Sequence, residues 1–270
     1  MHHTIKAAWA AAVLAYALFT PLAYAGRSCE AAKPPPAKTI EQGMALAERT
    51  LKALNAENAQ NGTQVVVLAR AGQNLDKYSL RYSHLGFAYK AADGRWLIAH
   101  KLNTCGTAQA SLYRQGLGEF FMDDLYRYEA AWVVPTPEVQ AKLYPLLQSN
   151  PRTSALHTKP YNMLSYPWAS KYQQSNQWAI ETLASAMEDN IQNRTQAQAW
   201  LQFKGYEPTT LTIRALTRLG GRLTAANIAF DDHPNEKRFA DRIETVTVDS
   251  VFRWLQRTGL SGKLSVINLN

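Results

Sequence analysis

Acyl transfer requires a nucleophile, a base that takes its proton, and a third polar group that fixes the base's tautomer. This chain has candidates for all three. His84 lies in Tyr82-Ser83-His84-Leu85-Gly86-Phe87 and His100 in Trp96-Leu97-Ile98-Ala99-His100, two stretches that read as partner strands. Side by side on such strands, one imidazole can steer the other, and Gly86 permits close backbone approach. Ser175, preceded by Gln173-Gln174, opens an apolar helical stretch, where the dipole and free backbone N–H groups favour a developing oxyanion. Plainer uses exist for each: a strand histidine satisfied by backbone groups, and a serine that caps its helix. A cap and a nucleophile are not exclusive. Tyr82, Asn176, Gln177 and Trp178 flank the trio and are the expected substrate contacts.

Two other motifs compete for chemical roles. Cys29 and Cys105 are the only cysteines, and in an exported chain a single disulfide between them is the economical reading. Cys105, in Leu102-Asn103-Thr104-Cys105-Gly106-Thr107, follows His100 closely, but neighbours along one strand tend to point apart. Asp231-Asp232-His233-Pro234 sets oxygen and nitrogen ligands in a row. Adjacent ligands seldom close a metal site without a distant partner, so a turn rich in capping residues is expected there, with no metal and no cofactor.

The elements that must position these residues follow from periodicity. Thr39 is placed to cap a helix from Ile40 to about Leu54 with Met44, Leu46, Ala47, Leu51 and Leu54 on one face. Val65-Val66-Val67-Leu68 fits a central strand, and Leu80 to Tyr89 and Trp96 to Leu102 form a hairpin through Ala92-Asp93-Gly94. A strand follows at Glu129 to Val134, then a helix from Glu138 to Gln148 and a loop rich in Pro, Ser and Tyr. Helices are expected at Ser175 to Met187, Thr195 to Phe203 and Asp249 to Arg257, and strands near Leu211 to Ile213, Asn227 to Phe230 and Thr245 to Val248. The pattern predicts one α+β domain over 39–270, with embellishments at both ends.

At 46% hydrophobic and 19% charged, the 270 residues are too apolar for disorder and able to build a core. The net charge of +8 is scattered, without the basic run or aromatic-plus-basic stripe that neutralises a phosphate backbone, which argues against nucleic acid as partner. Residues 1–25 read as a secretory signal peptide: Lys6, an apolar run from Ala7 to Phe19, then Ala23-Tyr24-Ala25 before Gly26. That run is too short for a lasting membrane span. Residues 26–38, with Lys33-Pro34-Pro35-Pro36, read as a stiff linker. A periplasmic or secreted protein is expected.

Ser83-His84-Leu85-Gly86-Phe87, then Ile98-Ala99-His100, then Gln174-Ser175-Asn176-Gln177-Trp178 resemble the circularly permuted papain-like fold. Its members include permuted relatives of the NlpC-type cell-wall peptidases and the lecithin:retinol acyltransferase group. The resemblance covers about residues 64–190. It implies an antiparallel sheet and a helix carrying the nucleophile position, with His84 as base, His100 as its orienting residue and Ser175 in place of the family's cysteine. The departure matters, because a thiol ionises beside an imidazolium and a serine hydroxyl needs true general-base help. Nearly all of the chain after the leader also resembles a family of uncharacterised exported proteins of Gram-negative bacteria, through residues 83–86, 102–107, 174–178 and 231–234. Together these imply an envelope hydrolase or acyltransferase acting on an amide or ester through Ser175, His84 and His100. The alternative is a catalytically inactive papain-like domain binding a cell-envelope peptide or glycan in the same cleft; the expected partner in either case is a cell-envelope peptide, glycan or lipid.

Overall fold

The computed structural model describes residues 34–123 and 125–269. The expected signal peptide and Cys29, and with it the expected Cys29–Cys105 bridge, lie outside the described residues.

β1 (Val65–Ala71) is buried along its whole length, as a strand covered on both faces must be. It sits inside a six-stranded sheet of order β4-β3-β2-β1-β5-β8, antiparallel throughout. The other strands are β2 (His84–Lys90), β3 (Trp96–Asn103), β4 (Ala110–Gly116), β5 (Arg127–Pro135) and β8 (Ser261–Asn268). The β2–β3 hairpin turns through Gly94 at φ +86°, a conformation that glycine adopts without strain.

Alternation along the strands makes three layers. Val66, Leu68, Ala88, Trp96, Ile98, Ala130 and Trp132 face α1 (Ala37–Asn61) and α2 (Leu117–Phe121). Val65, Val67, Leu85, Phe87, Tyr89, Ala99, Ala131 and Val133 face the other way. They pack there on α3 (Pro137–Gln148), α5 (Ser175–Met187), α6 (Arg194–Phe203) and α9 (Val248–Arg257). Short α4 (Asn150–Ser154) follows α3. Beside these layers a two-stranded ribbon, β6 (Thr209–Thr212) with β7 (Arg242–Thr245), adjoins α7 (Ala215–Thr224) and α8 (Asn235–Phe239). A small cluster of Leu80, Leu211, Ile213, Ile228, Phe230 and Ile243 holds it.

The architecture is α+β with an antiparallel sheet, as expected, and several elements differ in detail. The first helix begins at Ala37 behind Pro36 rather than at a Thr39 cap, and Leu46, Ala47 and Leu54 are buried while Met44 and Leu51 are exposed. Gly43 and Thr50 fill the buried stripe instead, because the helix lies close against Phe121. The strand expected from Leu80 begins at His84, and Asn227 to Phe230 is a loop anchored by Ile228 and Phe230. The C-terminal segment is no embellishment: β8 pairs along β5 and completes the sheet.

Candidate functional site

The hairpin brings the two histidines together. His84 Nε2 lies 2.9 Å from His100 Nδ1, with the rings edge-on and centroids 5.2 Å apart. Phe120 of α2 packs against both rings. Gly86 makes the contact possible: a Cβ there would lie 2.8 Å from His100 Cβ, 2.7 Å from Ile98 Cγ2 and 3.0 Å from the Ala99 carbonyl oxygen.

Arg70, opposite His84 in the β1–β2 register, completes the cluster. Its guanidinium lies 4.7 Å over the Phe120 ring and donates to the Phe120 carbonyl and to Asp123. Burial, then the Arg70 charge, then His100 hold the pKa of His84 well below the usual histidine value. Burial and Arg70 push His100 down to about 3, with Gln115 and Asp123 pulling weakly upward. Both rings are therefore neutral at ordinary pH, one donating and the other accepting.

Ser175 is not part of this cluster. His84, Gly86 and His100 share the side of Ala88 and Ile98, whereas α5 packs through Trp178 on the side of Leu85, Phe87 and Ala99. The sheet itself separates the expected base from the expected nucleophile. Because successive strand residues face opposite ways, His84 and Leu85 cannot both face α5, and the apolar residue takes that side.

The start of α5 is sealed by structural hydrogen bonds. Gln174, not Ser175, is the N-cap and accepts from Asn176 N at 3.3 Å. Its amide donates to Thr245 Oγ1 and to the Val246 carbonyl. Ser175 is buried beside Tyr161, whose phenol burial pushes up and the serine hydroxyl pulls partly back. Asn176 accepts from Leu85 N at 3.1 Å and donates to Val246 O, and Gln177 ties Ser165, Tyr166 and Pro167. Of the expected substrate contacts, Asn176 and Gln177 thus clamp loops. Tyr82 donates to Glu129 at 2.5 Å, a carboxylate also held by Arg81. Trp178 is fully buried, its Nε1 lacks a partner among the described residues, and it lines a cavity of about 320 Å³ with Leu112, Arg114, Asn150 and Ser154.

The Asp-Asp-His-Pro segment is also structural. His233 is held between Asp232 and the Glu244 carbonyl, Asp232 accepts from Tyr166 N, and Asp231 pairs with Lys171. Among the described residues no three His, Cys, Asp or Glu side chains gather as a metal site.

Sequence reasoning passed over a buried network on the α5 side. The Glu181 carboxylate accepts from Arg194, Gln173 and Gln198, and Gln173 in turn accepts from Lys101 Nζ at 2.8 Å. Burial, followed by the Arg194 charge, lowers Lys101 to about 7. The available signal was parity: Lys101 alternates with His100 along β3 and must enter the opposite layer.

No curated protein matches this chain, and no solved structure matches it. Residues 57–255 match a family described as uncharacterized protein conserved in bacteria, DUF2145. That span includes the His84–His100 pair, the start of α5 and the Asp-Asp-His-Pro turn, and the chain belongs to this bacterial family.

Proposed function

We propose that this protein is an exported, non-catalytic binding domain of the bacterial cell envelope, holding a peptide or glycan ligand at the surface around His84. One observation carries the reading: the sheet lies between the histidine pair and Ser175, so the paired imidazoles do not reach the Ser175 hydroxyl. Neutral imidazoles with strongly lowered pKa values are weak bases but serviceable hydrogen-bonding partners. Beside the pair stand exposed Tyr113, next to the His100 ring, and partly exposed Asp123, held by Arg70 opposite His84, an aromatic and polar mixture suited to a flexible ligand. The permuted papain-like ancestry is part of the proposal, supported by the His-x-Gly strand whose histidine meets a second one on the next strand.

The acyl-transfer reading retains the His84–His100 contact as support, with Ser175 across the sheet from it. A fluorophosphonate probe together with sedimentation on purified cell-wall sacculi separates the two. Binding predicts no Ser175 label and co-sedimentation that His84→Ala weakens. Labelling of wild type that Ser175→Ala abolishes would establish the hydrolase instead.

A further inference from the structure

The helix α7 (Ala215–Thr224) turns its polar side to the protein and its apolar side to solvent. Leu216, Leu219 and Leu223 recur at helical spacing on one stripe, and they are 83%, 55% and 77% exposed. The side facing the protein carries Arg218, which is buried and donates to the Ile213 carbonyl and to Asp241 at 2.5 Å. Gly221 fits against Ile228, where an added Cβ would come within 3.3 Å. Arg218 and Gly221 fix the rotation of the helix, so the leucine stripe is held outward by design of the packing rather than by a loose end.

The charges carried by α7 itself and by the residue before it are all positive, and the nearby Asp241 is taken up by Arg218. Exposed Arg214 precedes α7, Arg222 lies on its flank, and the helix has no acidic residue. Among the described residues neither arginine has an ion-pair partner, and nor does exposed Arg242, which pairs with Thr212 in the ribbon. On α8, which adjoins the same ribbon, Phe239 is 71% exposed with the Arg238 guanidinium 4.9 Å over its ring, an aromatic-and-basic pair on this part of the chain. An apolar stripe bordered by unpaired arginines matches the interface of an anionic bilayer, with leucines entering the acyl boundary and guanidinium groups on lipid phosphates. Among the described residues no helix is long and apolar enough to cross a membrane.

We propose that α7, with Phe239 and the surrounding arginines, docks this protein on the surface of a membrane rich in anionic phospholipid. This surface shares no residue with that around His84, and the inference does not depend on the ligand held there.

Co-sedimentation of the purified chain with vesicles of phosphatidylglycerol and phosphatidylethanolamine, against vesicles of phosphatidylcholine alone, tests it. The anionic vesicles are expected to bind at least tenfold more protein, and raised salt to weaken the binding. Leu216→Ser/Leu219→Ser/Leu223→Ser should lower partitioning tenfold or more while leaving thermal unfolding and circular dichroism unchanged, since the three side chains are exposed. Arg214→Gln/Arg222→Gln should reduce both the partitioning and its salt dependence. As a readout independent of the triple variant, Leu216→Trp should add blue-shifted fluorescence on mixing with the anionic vesicles. Binding that the leucine variant leaves intact would overturn the proposal by placing the contact elsewhere on the chain. Absence of vesicle binding, with a leucine-dependent dimer in size-exclusion chromatography, would also overturn it and assign the stripe to a second copy.

Discussion

The ring of His84 and the hydroxyl of Ser175 lie on opposite faces of one six-stranded sheet. His84 shares its face with His100 and Phe120, while Asn176, next to Ser175, accepts from Leu85 N at the start of the same strand. Adjacent residues of β2 thus serve different layers, and the consequences can be measured at both.

Gly86 is the position at which β2 yields to the His100 side chain. Gly86→Ala forces its methyl to within 2.8 Å of His100 Cβ and 2.7 Å of Ile98 Cγ2. Overpacking of this kind costs about 1–3 kcal/mol. Urea denaturation should show that loss, and the His84 and His100 imidazole resonances should move. An unchanged midpoint would mean that the strands are farther apart than described.

Arg70 is the charge that acts on both imidazoles. Arg70→Met removes it while keeping much of the packing on Phe120, so both histidine pKa values should rise toward the usual value. Burial still holds them below it, being the larger cause. An NMR titration of the C–H ring protons reads this directly, and histidines that titrate as before would remove Arg70 from the account.

Stability should depend on His100 at mildly acidic pH. The unfolded chain takes up a proton below about pH 6.5, whereas the folded protein refuses it until about 3. The contribution is complete above the unfolded value and is lost as pH falls through that window. At about pH 5 to 6, above the ordinary carboxylate range, His100→Gln should flatten the loss by at most roughly 1.4 kcal/mol per pH unit. His84 contributes in the same direction. Chemical denaturation across that range checks the slope, and parallel slopes for wild type and variant would count against a neutral buried His100.

Glu181 is fully buried and paired with Arg194, whose side chain is 6% exposed. Glu181→Leu strands the guanidinium and should cost about 3–5 kcal/mol. Arg194→Met in addition should recover a large part of that, because the apolar pair leaves no uncompensated charge. A double-mutant cycle measures the coupling. Additive losses would show that the two side chains do not depend on each other.

Much of this fold was legible from periodicity. The unbroken run at Val65 marked a central strand, Ala92-Asp93-Gly94 marked the hairpin, and Ser175 marked the start of a helix, all as the structure has them. β4 and β8 were not legible, because edge strands that are partly exposed and polar give no strong alternation. Nor was α7, whose leucine stripe points away from any core. The pairing of His84 with His100 followed from the hairpin. Their separation from Ser175 turned on which face of the sheet α5 would choose. Strand parity defines two faces, but only the tertiary packing of Leu85, Phe87 and Ala99 on Trp178 decides which one the helix covers.

Imidazole nitrogen shifts in histidine-labelled protein report hydrogen bonding and protonation at each ring, so they test most directly whether Ser175 communicates with His84. The account predicts that Ser175→Ala leaves the nitrogen shifts and titration of His84 and His100 unchanged, while His100→Gln alters those of His84. A displaced His84 resonance in Ser175→Ala, comparable to that caused by His100→Gln, would contradict it and restore a hydroxyl within reach of the base.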